Sequence, residues 1–308
     1  AETKGIFVVY NHLPENVNPL LSHYIPVFVW PYNAKYPLTT NDDSENINGR
    51  AGNACGPTAI ANILAYWGFP RKGFGNRTFT DALTCTWSAD FAATTYNYDL
   101  ITDRLTATSP QAVIDANATL LYHAGVAMHD PWRSGNREGV LNAFKEYFGY
   151  NKKAKIINRD DYTPDQWEKV FRSELSLGRP QIVEGWSQIL PDGNHDGHWF
   201  ICDGYDKNGS YHVSYDYGPG TEKWYPLYEF GVYKLKNWIF AYLEPDLKGK
   251  KITLTSPAGN ENWQQSTQKS ITWTATGVTN VNIEFSSDNG ATWTTLATSV
   301  PAGTGSST

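Results

Sequence analysis

The stretch Cys55-Gly56-Pro57-Thr58-Ala59-Ile60-Ala61-Asn62-Ile63-Leu64-Ala65-Tyr66-Trp67-Gly68 decides how the rest of the chain is read. Its apolar positions 60, 63, 64 and 67 follow the i, i+3, i+4, i+7 spacing of one helix face. Pro57 suits a first helical turn and Gly68 a helix end. A cysteine therefore stands at the start of an amphipathic helix, where backbone N–H groups and the helix dipole stabilise a thiolate. That is one way to build a nucleophile. Ordinary packing of a small residue is the other reading of Cys-Gly-Pro.

Further helices are predicted from Ser109-Pro110 to Gly125, from Arg137 to Gly149, and from Thr163-Pro164 to Gly178. The last opens on a capping box, Thr163 with Gln166 three residues on. After Pro180 the texture changes. Gln181–Trp186, His198–Tyr205, Ser210–Tyr217 and Trp238–Glu244 read as short strands rich in aromatic and β-branched residues. Asp206-Lys207-Asn208-Gly209 reads as a hairpin turn, since it lacks the full ligand series of a calcium loop. The region up to about residue 50, rich in Pro, Asn and aromatic residues, reads as ordered loop. Helices first and an antiparallel sheet second predict an α+β domain.

A boundary falls at Asp246-Leu247-Lys248-Gly249-Lys250-Lys251, which divides the chain into 1–246 and 252–308. The second part alternates Thr, Ser and Asn with Ile, Val and Trp, an all-β pattern. It is shorter than the roughly 100 residues of a seven-stranded sandwich, so a truncated sandwich-like module is expected, with Trp263, Trp273 and Trp293 in its core.

Composition narrows the function. The 308 residues carry 25 Lys+Arg against 31 Asp+Glu, a net charge of −6, which argues against a nucleic-acid or anionic-membrane partner. No apolar run approaches the roughly 18 residues of a membrane helix, and Ala1–Tyr10 lacks a signal-peptide pattern, as expected of a processed, soluble chain. Three cysteines, odd in number and without a CxxC, build neither a disulfide framework nor a metal site, and nothing calls for a cofactor.

A nucleophilic cysteine needs a base. His198 opens the strand Gly197-His198-Trp199-Phe200-Ile201-Cys202-Asp203-Gly204-Tyr205 after a Gly-containing loop, where a side chain projects from a sheet edge into a cleft. A satisfied structural histidine is the alternative. His195 is the weaker candidate, and the other histidines have no comparable context. The base in turn needs an orienting group. Ser214 and Asp216 lie two apart on the adjoining strand and so share a face, Asp216 being the better acceptor.

Over about residues 18–245 the chain resembles the streptopain family of secreted bacterial cysteine peptidases. The likeness runs in order through Asn18-Pro19-Leu20-Leu21, Pro31-Tyr32-Asn33, Tyr66-Trp67-Gly68-Phe69-Pro70, Thr95-Tyr96-Asn97-Tyr98, Tyr147-Phe148-Gly149-Tyr150-Asn151 and Asn158-Arg159-Asp160-Asp161-Tyr162. It continues in Gln166-Trp167-Glu168, Arg179-Pro180, Gly197-His198-Trp199-Phe200, Asp203-Gly204-Tyr205 and Tyr211-His212-Val213. The resemblance implies a papain-like fold, Cys55 as nucleophile, His198 as general base, protein or peptide substrates, a zymogen and a monomeric extracellular bacterial enzyme.

Three departures stand out. The family's Asn-Trp-Gly-Trp-Gly-Gly is here Ser214-Tyr215-Asp216-Tyr217-Gly218-Pro219, so the orienting role passes to Ser214 or Asp216. The oxyanion-hole glutamine expected before Pro31 is absent, and Val27, Phe28, Val29 and Trp30 occupy that stretch. Cys55-Gly56-Pro57-Thr58 itself is closer to bacteriocin-leader-processing peptidases. The backbone N–H of Cys55 then needs a second donor, with Asn53 expected in that role over Asn48; a turn residue capping the helix is the other reading of Asn53. Other outcomes for this scaffold are amidase or acyl-transferase chemistry, or a non-catalytic adhesin on a degenerate peptidase domain whose β module contacts a cell surface.

Overall fold

The computed structural model describes residues 13–27, 29–38, 46–81, 85–129, 136–189, 195–247, 250–257, 261–264, 266–285 and 294–307. The apolar spacing around Cys55 forms α1, Cys55–Trp67, which Gly68 closes. The short pairs β1 (Asn46–Ile47) and β2 (Arg50–Ala51) precede it, and the hairpin β3 (Asn76–Thr80) and β4 (Thr86–Asp90) follows. Helix α2 spans Gln111–Met128, three residues beyond the expected Gly125. Helix α3, Arg137–Asn142, runs into a π turn at Ala143–Tyr147. Helix α4, Pro164–Ser176, carries the expected capping box: Thr163 Oγ1 accepts from the Gln166 N–H and Gln166 Oε1 from the Thr163 N–H at 3.0 Å.

The main sheet contains β5 (Lys155–Asn158), β6 (Gln181–Ile189), β7 (His195–Tyr205), β8 (Ser210–Ser214), β9 (Lys223–Pro226) and β10 (Leu235–Ala241). They are antiparallel in the order β5-β10-β6-β7-β8-β9. Strands β3, β4, β5 and β9 carry no strand pattern in the sequence reading. Strand β8 stops at Ser214 because Asp216 turns into the left-handed region at φ 60°, so Ser214 and Asp216 do not share a strand face. Asp206 Oδ1 accepts from the N–H groups of Asn208 and Ser210, as a plain hairpin turn requires.

Alternation along β7 serves two cores. Trp199 and Ile201 pack with α1 and α2, while Phe200 and Cys202 pack with Trp167 and Phe171 of α4. Buried ion pairs tie the layers together. Arg137, at the start of α3, makes a two-pronged bond to Glu184 of β6, its Nη2 donating to Oε1 at 2.8 Å, and its guanidinium lies 3.6 Å from the Trp238 ring centroid on β10. Arg179 donates to both carboxylate oxygens of Glu174, at 2.6 and 2.9 Å, and Glu174 also accepts from the Tyr242 N–H at 2.8 Å. The N-terminal segment is fastened by Asp203, which accepts from the Leu21 N–H at 2.9 Å and Tyr24 Oη at 2.8 Å and pairs with His212 Nδ1 at 2.8 Å.

The C-terminal strands are β11 (Lys251–Ser256), β12 (Ile271–Thr276), β13 (Asn280–Phe285), β14 (Thr294–Pro301) and β15 (Ser306–Ser307). They form the sheets β11-β12-β15 and β13-β14 around Trp273, Val281, Ile283 and Ala302. Trp273 is core as expected. Trp263 is not, being 41% exposed, and Trp293 lies outside the described residues.

Two stability predictions follow from buried charges. Glu174→Ala removes the two-pronged partner of buried Arg179 and leaves it only Glu244 Oε2 at 3.2 Å, so it should cost about 3 kcal/mol in denaturant unfolding. His123 is buried beside Tyr96 Oη at 2.8 Å, and burial pushes its pKa down to about 4. The unfolded chain, with an ordinary histidine pKa near 6.5, then takes up protons that the folded one does not. Its share of stability is complete above pH about 6.5 and is lost as pH falls towards 4. Thermal unfolding across that window should show a falling Tm, with a shallower fall in His123→Gln.

Candidate active site

Cys55 is the first residue of α1 and is buried. The helix start sits tightly on the end of α2: a Cβ at residue 56 would lie 3.0 Å from Met128 Cε and 3.2 Å from its Sδ, so only glycine fits after the cysteine without displacing that side chain. Helix α1 packs against β7, the strand that carries His198.

His198 is 5% exposed and enclosed by tyrosines. Its ring stacks on Tyr217 at 5.0 Å and 16°, with Tyr233 at 5.1 Å and Tyr215 at 6.1 Å. Tyr217 and Tyr233 join through their hydroxyls at 3.0 Å. His198 Nε2 lies 2.8 Å from the Tyr215 carbonyl oxygen. A carbonyl only accepts, so the neutral ring carries its proton on Nε2 and presents Nδ1 as a base. Burial pushes the imidazole pKa down to about 4, opposed by the Tyr215 carbonyl and the charge of Asp196. The Tyr217 hydroxyl is pushed up chiefly by burial, then by Tyr233, with Cys55 and Asp196 adding to the shift.

The expected supporting residues are placed differently. Neither Asp216 nor Ser214 is hydrogen-bonded to the imidazole among the described contacts. Both are wholly buried, and Ser214 Oγ donates to Asp216 Oδ1 at 3.0 Å while accepting from the Asp216 N–H at 3.1 Å. The group that holds the ring is the backbone carbonyl of the residue between them. Asn53 is also committed elsewhere: its Nδ2 donates to the Pro26 carbonyl at 2.8 Å and approaches Thr58 Oγ1 at 3.3 Å, so it fastens the loop below the helix start and is not an oxyanion donor in this arrangement. It does not cap α1 either, whose N-cap is Ala54. Asn48 sits at φ 55° in the turn between β1 and β2.

The sequence reading missed the tyrosine enclosure. Its signal was the alternation Tyr215-x-Tyr217; Tyr233 left none, arriving from the segment before β10. Gly185 makes room for it. Gly185 pairs with His198 across β6 and β7, and a Cβ there would lie 2.3 Å from the Tyr233 carbonyl oxygen.

A helix that opens with a cysteine, packed on the strand that carries a histidine, defines the class: a papain-like α+β cysteine-peptidase fold. The sequence profile of the Peptidase C10 family matches residues 29–225, and the chain belongs to that family. The active wild-type interpain A cysteine protease of Prevotella intermedia superposes with a TM-score of 0.65 at 28% identity, over 75% of this chain and 96% of that one. Streptopain of Streptococcus pyogenes serotype M28 is 26% identical over 211 residues, 64% of this chain and 52% of that protein. The thiol protease/hemagglutinin PrtT of Porphyromonas gingivalis is 26% identical over 67% of this chain and 24% of its own length. The chain thus spans about half the length of the streptopains it matches.

Gly185→Ala should push Tyr233 off the imidazole, lowering stability by about 1–3 kcal/mol as overpacking does. In the same variant the His198 NMR titration should move upward from about 4 as the ring gains water.

Proposed function

We propose that this chain is a secreted bacterial cysteine endopeptidase that hydrolyses protein or peptide substrates through an acyl-enzyme. The observation that carries this reading is the enclosed His198, fixed at Nε2 by the Tyr215 carbonyl and carried on the strand that packs against the helix opening with Cys55. The Cys55 thiol passes its proton to His198 Nδ1 as sulfur attacks the peptide carbonyl. The backbone N–H of Cys55, at the helix start, is the donor for the oxyanion. His198 then returns the proton to the departing amine, the C–N bond breaks, and a thioester remains. Water, deprotonated by the same Nδ1, attacks the thioester and releases the acid and the thiol.

The division into a peptidase domain, 1–246, and a β module, 252–308, belongs to this reading, as do a zymogen precursor and a monomeric state. Among the described residues no helix is long and apolar enough to cross a membrane, and none of their His, Cys, Asp and Glu residues cluster as a metal site. For the β module we infer a surface-contact role, which the exposed Trp263, Phe285 and Leu296 support.

Cys55→Ala and His198→Ala should each lower casein hydrolysis on the order of 10⁴-fold. Retention of full activity in Cys55→Ala would overturn the assignment. Incorporation of an added amine without net hydrolysis would replace it with acyl transfer. Because the base works as the neutral ring, activity is present above its pKa and lost below it. The acid limb of kcat/KM should fall near pH 4, well below an ordinary histidine value of about 6.5.

A further inference from the structure

Asp216 is a buried ionisable group that the proposed reaction does not use. Its surroundings are unusual for a carboxyl. It is wholly buried, stands in the left-handed region at φ 60°, and one of its oxygens, Oδ2, has no partner within hydrogen-bond distance. The other oxygen accepts from Ser214 Oγ at 3.0 Å, and that hydroxyl accepts the Asp216 N–H in return, closing a small ring. The Asp216 carbonyl accepts from the Val27 N–H at 2.7 Å. The amide of Asn62, on α1, lies beside the carboxyl and favours its charged form without closing on Oδ2. Asn62 in turn holds the Ile25 N–H at 2.8 Å through Oδ1. Segment 25–27 thus bridges the end of β8 and the helix that carries Cys55, through the Asp216 carbonyl at Val27 and Asn62 at Ile25.

The neighbours of Asp216 in the chain are the two residues that hold the imidazole. Tyr215 supplies the carbonyl to Nε2, and Tyr217 supplies the stacked ring. A non-glycine residue at φ 60° is strained unless its surroundings hold it there, so the buried bonds of Asp216 set where both tyrosines sit. We propose that Asp216 is a positioning residue: its buried bonds to Ser214 and the bond of its carbonyl to the Val27 N–H fix the Tyr215–Tyr217 turn on His198 and, through the 25–27 segment that Asn62 holds at Ile25, key that turn to the nucleophile helix. This inference rests on the assignment of Cys55 and His198 as the reacting pair. Burial also raises the Asp216 carboxyl well above the usual carboxylate range, and the charges of Asp203 and Glu222 push it the same way, against the pull of Ser214 and Asn62.

The experiment compares Asp216→Gly, Asp216→Asn and Ser214→Ala in the full chain. Glycine accepts the left-handed backbone but removes the tie, and Ser214→Ala removes it from the other side while leaving Asp216 in place. Both should lower kcat on the order of tenfold or more with KM changed by less than about threefold, as small misplacements of a reacting group do. Both should move the His198 imidazole titration, followed by NMR, upward from about 4 towards 6.5 as the ring loses its fixed enclosure. Asp216→Asn keeps the acceptor and tolerates a left-handed backbone, so it should restore most of the rate lost in Asp216→Gly. If Cys55→Ala is dead while Asp216→Gly and Ser214→Ala keep both kcat and the His198 titration of the parent, positioning is overturned and the reacting pair stands. A lowered Tm with an unmoved titration and an unmoved kcat means structural support only, and also overturns it. If Cys55→Ala is fully active, the reading on which the proposal rests has failed instead.

Discussion

Burial of β7 on both faces is the constraint on which the rest depends. Trp199 and Ile201 go into the core beneath α1, and Phe200 and Cys202 into the core beneath α4. A slip of one residue would exchange the two sets, putting Trp199 where Cys202 and Phe200 now fit. The register is therefore fixed by shape on two sides at once. His198 stands inside this rigid strand, three residues from its start, and its backbone takes its place relative to α1 from the packing of Trp199 and Ile201 beside it.

The site is built largely from backbone. A carbonyl holds Nε2, a helix start presents the cysteine, and two glycines allow close approach, Gly56 to Met128 and Gly185 to the Tyr233 carbonyl. Side chains serve as fasteners one step away. Asn53 secures the Pro26 loop, Asp203 secures Leu21 and Tyr24, and Arg137 joins α3 to β6 through Glu184. Asn53 and Asp203 are buried, Arg137 is half-buried, and each makes more than one bond, which favours a single arrangement.

This division explains what was legible in the sequence. Helix α1 could be read because four apolar positions repeat with the helical period, and α4 because Thr163 and Gln166 act on neighbours three residues away. Cys55 at a helix start and His198 in a predicted strand could be named as candidates, though β7 begins three residues before His198, at His195. The orienting group could not, because a carbonyl acceptor has no residue signature and Tyr215 looks like any core aromatic. Alternation made Ser214 and Asp216 seem to share a face; the left-handed turn at Asp216 ended the strand and sent the carboxyl towards Asn62. Asn53 looked like a donor for the site because its bond to Pro26, 27 residues earlier, is purely tertiary. Edge strands β5 and β9 have four residues each, too short for a period to declare itself.

Met128 is the chain's one methionine, and its methyl group touches the space beside Gly56, one residue from Cys55. A ¹³C-methyl label on methionine would therefore give a spectrum with a single resonance, located at the mouth of the nucleophile helix. The protein carries its own reporter there: a change at the cysteine or in the packing of the helix start would be visible as movement of one isolated peak.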